Sequence, residues 1–307
     1  SRAAMLTGRL CVRSGTCGGW TGGVFSNGAI GGLPTNETTF AAVLSKAGYT
    51  SKAIGKWHLG VKQEFMPLAH GFDEYLGVPY SVDMGCSMWT ACNGDEYNVL
   101  PLVENNSTVV QQPVDLSKLS DIYMNSAIDF IDRSVTANTP FVLYFPLSHV
   151  HVPDYMSPSR CNSSIRGWFG DAVEEMDQLI GDVMQYVESR HIDSNTLVFF
   201  TSDNGPWMTE RLAGGSAALF RGAKENTWEG GVREPAWAYW PGMIDSGSRS
   251  MQITATYDIF STIISIANAT QYLPDDGRLY DGRDMSDILF FGGDSKHDCI
   301  YYWGGMP

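Results

Sequence analysis

A carboxylate and an amide stand side by side at Asp203-Asn204-Gly205, directly after the apolar run at residues 196–200. Adjacent anionic and neutral oxygens are ligands that hard cations such as Ca²⁺ and Mg²⁺ accept. Asp-Asn-Gly is also ordinary turn chemistry. The tripeptide by itself therefore leaves a metal site and a plain turn both open.

Two pairs of basic side chains have spacings suited to holding an anion. Lys56 and His58 are two residues apart, and in an extended segment they would point to the same side, where they could hold an oxyanion and accept its proton. His149 and His151 have the same spacing. Because the candidate metal ligands are carboxylate and amide rather than the groups that zinc prefers, we interpret His151 as an anion-binding residue.

Lys224 opens a segment of mixed charge with two glycines, residues 224–235, just before a predicted strand. A lysine on such a loop can clamp an anion, but a salt-bridged surface turn has the same composition. His70, His191 and His297 stand alone in the sequence, and we interpret them as structural or solvated.

Alternating apolar strands and amphipathic helices predict how these residues are positioned. Helical periodicity at 122–131 and 172–187 precedes apolar runs at 141–145 and 196–200, and the segments 235–240 and 257–267 repeat the alternation. The pattern predicts a doubly wound α/β fold, a mostly parallel sheet flanked by helices with right-handed crossovers. Ligands bind such sheets where strands end, and the polar clusters lie there.

The composition of the chain restricts the kinds of partner that it can bind. The chain has 307 residues and a net charge of −14, which argues against nucleic acid or an anionic membrane surface as a partner. No segment approaches the roughly 20 apolar residues of a membrane span. We find no sign of a second domain.

Cysteines and glycosylation motifs indicate the secretory pathway, with a lysosomal or secreted destination. The six cysteines show no C-x-x-C spacing, which argues against a zinc cluster and leaves disulfides open. In an oxidising compartment we predict a local Cys86–Cys92 bridge, because the two lie only a few residues apart. N-x-S/T sequons, candidate glycosylation sites, occur at Asn36, Asn105, Asn106, Asn162 and Asn268.

The order of the polar blocks resembles that of the sulfatase family. The matching segments are Ser1-Arg2-Ala3-Ala4-Met5-Leu6-Thr7-Gly8-Arg9, Gly55-Lys56-Trp57-His58-Leu59-Gly60, Ser202-Asp203-Asn204-Gly205, and Lys224 with Glu229-Gly230-Gly231-Val232-Arg233-Glu234-Pro235. Segments 77–81 and 279–282 resemble arylsulfatase A and its close relatives in particular. The resemblance covers essentially the whole chain and implies an alkaline-phosphatase-like sulfatase fold forming one catalytic domain over residues 1–307.

The resemblance also implies a chemistry. In the family the first block reads C-x-P-S-R, and its Cys is converted to formylglycine, which attacks a sulfate monoester. One divalent cation, Ca²⁺ with Mg²⁺ as the alternative, would be held by Asp203 and Asn204. Arg2 would position the formylglycine hydrate and His58 would accept its proton. The sulfate would be bound by Lys56, Ser81, His151 and Lys224, with His151 or Lys224 as general acid.

Departures from the family pattern concern the two ends of the chain. The formylglycine Cys and the family's upstream pair of aspartates are absent, and the small C-terminal sheet would be cut after Trp303. We therefore expect this chain to be an inactive fragment of a longer enzyme, whose maturation requires a formylglycine-generating enzyme.

Other functions remain open at this stage. A phosphatase or phosphodiesterase can use the same scaffold, and a secreted glycoprotein can keep the fold without catalysis. An N-acetylgalactosamine-6-sulfatase-like enzyme acting on glycosaminoglycans fits segments 70–74 and 214–216 about as well as an arylsulfatase. The substrate would be a sulfolipid, a sulfated glycan or an aryl sulfate.

Overall fold

A five-stranded mixed sheet forms the centre of the fold. The computed structural model describes residues 1–17, 24–85 and 100–302. The strand order is β4-β3-β2-β1-β5, and β1 pairs in parallel with β2 and β5, whereas β3 is antiparallel to β2 and β4 to β3. The strands are β1 (Thr50–Ile54), β2 (Glu74–Gly77), β3 (Leu102–Glu104), β4 (Thr108–Gln111) and β5 (Phe141–Tyr144).

Helices cover both faces of this sheet, as a doubly wound fold requires. Successive residues of β1 point to opposite faces of the sheet, so Ala53 lies in one apolar cluster and Ile54 in the other. The α-helices are α1 (Arg2–Thr7), α2 (Cys11–Ser14), α3 (Phe40–Lys46), α4 (Leu119–Thr136), α5 (Gly167–Ser189), α6 (Glu229–Val232), α7 (Asp258–Ile266) and α8 (Ser286–Phe291). Short 3₁₀ helices span Gln63–Phe65, Pro67–His70, Val82–Gly85, Leu116–Lys118, Asp193–Asn195, Met208–Ala213 and Thr270–Tyr272.

The helical periods at 122–131 and 172–187 are confirmed as parts of α4 and α5. Tyr123, Ala127 and Phe130 of α4 are buried at spacings of three and four residues, which places them on one face of the helix. Helices α1, α3 and α7 pack together on the opposite side of the sheet, around Leu6, Val43 and Phe260. The α/β fold class predicted from the alternation is confirmed.

A second, two-stranded sheet departs from the predicted parallel alternation. It consists of β6 (Val198–Thr201) and β7 (Ala236–Tyr239), which run antiparallel. Antiparallel pairing needs no long crossover helix, and within residues 202–235, all of which the structure describes, the only α-helix is α6, with 4 residues. Phe200 stacks on Trp237 with ring centroids 5.4 Å apart. All residues of the apolar run at 196–200 are half-buried.

One disulfide lies in the described part of the chain, between Cys11 and Cys17. The cysteine spacing had not singled out this pair. Cys161 and Cys299 are free and exposed, and the predicted Cys86–Cys92 bridge falls outside the described residues. Over the described ranges, no helix has both the length and the apolar character that a bilayer span requires.

Candidate active site

The segment after β1 is forced close to the end of β5. Gly55 has φ 125°, and a side chain there would collide with the Pro146 carbonyl. The Lys56 amide then donates to Pro146 O at 2.8 Å. The tight crossing therefore requires glycine and brings Lys56 to the carboxyl ends of both strands.

Lys56 is a buried cation beside a hydroxyl. Its Nζ donates to Ser81 Oγ at 3.0 Å. Burial and the nearby Arg2 guanidinium lower the pKa of Lys56 to about 7. Because an anion bound at this ammonium would favour the charged form, Lys56 is suited to holding an oxyanion.

His58 follows in a left-handed backbone conformation, with φ 60°. Burial, together with the positive charges of Lys56 and Arg2, lowers the pKa of His58 to about 2. Its Nε2 is buried and has no hydrogen-bond partner among the described residues. His58 is thus a neutral imidazole, and only an anion placed among the surrounding cations would make it a better proton acceptor.

Asp203 follows β6 and faces Arg2 of α1. Arg2 Nη1 lies 2.7 Å from Asp203 Oδ2. Burial of the Asp203 carboxylate opposes its ionisation, but the charges of Arg2 and Lys56 outweigh this and lower its pKa. Asp203 is therefore ionised at all physiological pH values.

The oxygens of Asp203 and Asn204 are suitable ligands for a hard cation, but they supply only part of its coordination shell. Asn204 Nδ2 donates to Gly205 O at 2.9 Å, which leaves its amide oxygen, beside the ionised Asp203 carboxylate, as a ligand. Calcium takes six to eight oxygens. Within residues 1–17, 24–85 and 100–302 no group of three or more His, Cys, Asp or Glu could hold a metal ion, so further ligands would have to join these two.

His151 and Lys224 are in direct contact with each other. Lys224 Nζ lies 3.1 Å from His151 Nε2 and 4.6 Å from the centroid of the Trp207 ring. Burial and the charge of Lys56 lower the pKa of His151 to about 4, although Asp83 acts in the opposite direction. A neutral His151 therefore accepts from the Lys224 ammonium.

These groups share one cavity of about 280 Å³. Although the chain carries a net charge of −14, the cavity is lined by five basic residues: Arg2, Lys56, His149, His151 and Lys224. Asp203 and Asn204 also line it, Ser81 is held by Lys56, and His58 lies within electrostatic reach. The arrangement can bind a small multi-oxygen anion and move a proton beside it.

Three residues of the site were missed from sequence. Trp207 lies against Lys224 and His151, and Asp83 lies 3.5 Å from His151. Glu234 lines the cavity, and burial with the charge of Asp203 raises its pKa to about 7. A weak signal existed for Asp83, which follows Ser81 by two positions.

The candidate glycosylation residues lie away from the cavity lining. Asn36, Asn105, Asn162 and Asn268 are exposed. Asn106 is half-buried, accepting from Leu68 N and donating to Gln63 O.

Comparison with known proteins gives consistent matches. A family model described as Sulfatase matches residues 1–269. Arylsulfatase G of Homo sapiens is 39% identical, over 98% of this chain and 61% of that protein. N-acetylgalactosamine-6-sulfatase of Homo sapiens is 37% identical, over 99% of this chain and 59% of that protein. The chain thus spans about three fifths of the length of these curated relatives.

Solved structures match over nearly the whole chain. The PsFucS1 sulfatase from Pseudoalteromonas sp. has a TM-score of 0.87 and 28% identity, covering 99% of this chain and 64% of that one. Ps i-CgsB in complex with k-i-k-neocarrahexaose has a TM-score of 0.78 and 25% identity, covering 94% and 64%.

Proposed function

The chain belongs to the sulfatase family, and on that premise we propose that the whole protein hydrolyses sulfate monoesters. The observation that carries the proposal is the convergence of Arg2, Lys56, His151 and Lys224 on one cavity beside Asp203. A cavity this basic in so acidic a chain selects a small anion. The identity to arylsulfatase G points to sulfate rather than phosphate.

Lys56 and Lys224 would neutralise the sulfate oxygens. Lys56 is buried and already hydrogen-bonded to Ser81, so its ammonium needs little reorganisation when the anion arrives. In a site with little water, such preorganised charge stabilises a transition state far more than it would in bulk solvent. Sulfate bound beside Lys56 would also raise the pKa of Lys56 and keep it charged.

Arg2, His58, Asp203 and Asn204 would act on the attacking side. A formylglycine would supply the nucleophile, and Asp203 and Asn204 would hold a divalent cation that would supply positive charge to the site. The Arg2 guanidinium, fixed by Asp203, would orient the attacking group. His58 would hold the proton of the attacking group once the negative charge of bound sulfate offsets the positive charges around the imidazole ring.

Lys224 and His151 would act on the leaving side. The ammonium of Lys224 contacts His151 Nε2 and Trp207, so it is held in place with protons to donate. An alcohol leaving group gathers negative charge as its bond to sulfur breaks, and protonation by a positioned acid relieves that charge.

We also propose that residues 1–307 form one catalytic domain of a lysosomal or secreted glycoprotein. The Cys11–Cys17 disulfide is of a kind that persists in oxidising compartments. Exposed sequons at Asn36, Asn162 and Asn268 are accessible to glycosylation. A formylglycine-generating enzyme would be a partner during maturation.

The aromatic side chains in the cavity favour a sulfated glycan as the substrate class. Trp207 and Phe169 line the same cavity as the basic side chains, and aromatic rings pack against the apolar faces of sugars. The chain is also similar to N-acetylgalactosamine-6-sulfatase and to a structure bound to neocarrahexaose.

The test compares 4-nitrophenyl sulfate, 4-nitrophenyl phosphate and N-acetylgalactosamine 6-sulfate as substrates of the whole protein. Cleavage of sulfate esters without the phosphate ester is the expected result. Phosphate release alone would indicate phosphoryl transfer. Binding of inorganic sulfate without any turnover would indicate a non-catalytic glycoprotein.

A further inference from the structure

The two ring nitrogens of His151 face opposite kinds of partner. Nδ1 lies 2.9 Å from Val152 O and 3.5 Å from Asp83 Oδ1. A carbonyl and a carboxylate oxygen can only accept hydrogen bonds. The proton of a neutral His151 therefore belongs on Nδ1.

The contact made by Nε2 supports the same tautomer. It lies 3.1 Å from Lys224 Nζ, and an ammonium can only donate. In the reverse tautomer, Nε2–H would face another donor, while the Nδ1 lone pair would face two acceptors. The contacts of both ring nitrogens would then become repulsive.

Asp83 is the anionic group beside His151 Nδ1. Its side chain is 19% exposed, and its buried Oδ1 makes no hydrogen bond within the described residues, so the 3.5 Å approach to Nδ1 is an electrostatic contact. The charged groups that act on His151 are Lys56 and Lys224, with Asp83 as the opposing anion. Val152 O accepts the hydrogen bond from Nδ1–H at 2.9 Å, and the Asp83 carboxylate adds the attraction of a full negative charge for a proton on that side of the ring.

The local chain geometry links Asp83 to the two lysines of the pocket, Lys56 and Lys224. Asp83 lies in the short 3₁₀ helix Val82–Gly85, directly after Ser81, which accepts from Lys56. One short segment therefore places a hydroxyl against Lys56 and a carboxylate against the histidine that holds Lys224.

We propose that Asp83 is a positioning residue, which holds His151 in the Nδ1-protonated tautomer so that Nε2 anchors the Lys224 ammonium. His151 is then the acceptor of the pair, and Lys224 is the group that presents a proton to the leaving oxygen. The kinetic consequence rests on the proposed sulfatase activity, whereas the tautomer does not.

The first test reads the tautomer directly. Long-range ¹H–¹⁵N spectra of ¹⁵N-histidine protein, with His151→Gln to assign the signal, report which ring nitrogen carries the proton. We expect Nδ1–H in the wild type and in the surface control Asp121→Ala. Asp83→Ala should give a mixture of the two tautomers, because Val152 O remains as an acceptor for Nδ1–H. Asp83→Asn should change the tautomer ratio less than Asp83→Ala does. Protonated Nε2 in the wild type, or no change in either Asp83 variant, overturns the proposal.

The second test uses turnover by the whole protein. Asp83→Ala should lower kcat by about tenfold for a sulfated sugar, as loss of a histidine's orienting partner typically does, and by less for 4-nitrophenyl sulfate. In a Lys224→Met background the same change should cost nothing further, because the two residues act in series. An equal loss in that background overturns the proposal. If the wild type turns over no ester, the proposed function fails while the spectra still decide this inference.

Discussion

Replacing Lys224 with methionine should separate its catalytic role from its structural one. The change keeps the length and packing of the stem and removes the ammonium. For a substrate with a poor leaving group, loss of a preorganised cation costs about 3 kcal/mol in the transition state, or about a hundredfold in kcat. The loss should be smaller for 4-nitrophenyl sulfate, whose leaving group needs little protonation.

The effect on stability follows from the contacts of Lys224. The variant loses the hydrogen bond to His151 Nε2 at 3.1 Å and the contact with Trp207, together about 2 kcal/mol. It also removes repulsion, since Lys224 is one of the charges that lower the pKa of Lys56 and of His151. These terms oppose each other, so we expect the free energy of unfolding to change by less than about 1 kcal/mol.

The assay measures kcat on N-acetylgalactosamine 6-sulfate and on 4-nitrophenyl sulfate, beside urea unfolding. Lys118→Met is the matched control, because Lys118 is 71% exposed and pairs only with Asp115 among the described residues. An unchanged kcat on both substrates would refute the reasoning and return Lys224 to the role of a surface residue, and unfolding of the variant would refute it by showing a structural role.

Three further outcomes are expected. Asp203→Ala should abolish Ca²⁺ binding by calorimetric titration of the whole protein, because an anionic oxygen is lost; unchanged affinity would mean a plain turn. Burial opposes ionisation of Glu175, but His149, Ser157 and Ser120 outweigh it and lower its pKa to about 2. Glu175 should thus contribute about 3 kcal/mol above pH 4.5 that is lost as pH falls toward 2, and Glu175→Gln should flatten that slope in urea unfolding; an equally steep slope would contradict this. Peptide mapping without reduction should recover a Cys11–Cys17 linked peptide, and free thiols at both would count against the fold of this segment.

Much of the architecture could be predicted from local pattern. Helical periodicity located α4 and α5, because burial of one helix face repeats every three to four residues. Apolar runs located β5 and β6, and the polar residues after them marked the edge where the cavity lies. The motif order identified the family, and with it the candidate roles of Arg2, Lys56 and Asp203, because spacing within one segment is visible in the sequence.

Other features depend on contacts between distant segments, and only the tertiary structure decided them. A run of apolar residues does not encode its partner, so the antiparallel pairing of β6 with β7 was not predictable from either strand. The same is true of Asp83, which acts on His151 across 68 positions of chain. Which nitrogen of that ring carries a proton depends on the acceptors and donors that the fold brings to it. The sequence by itself determined which chemical groups are present and which secondary-structure elements carry them, while packing determined their protonation and their partners, because electrostatic energies depend on distance and burial rather than on order along the chain.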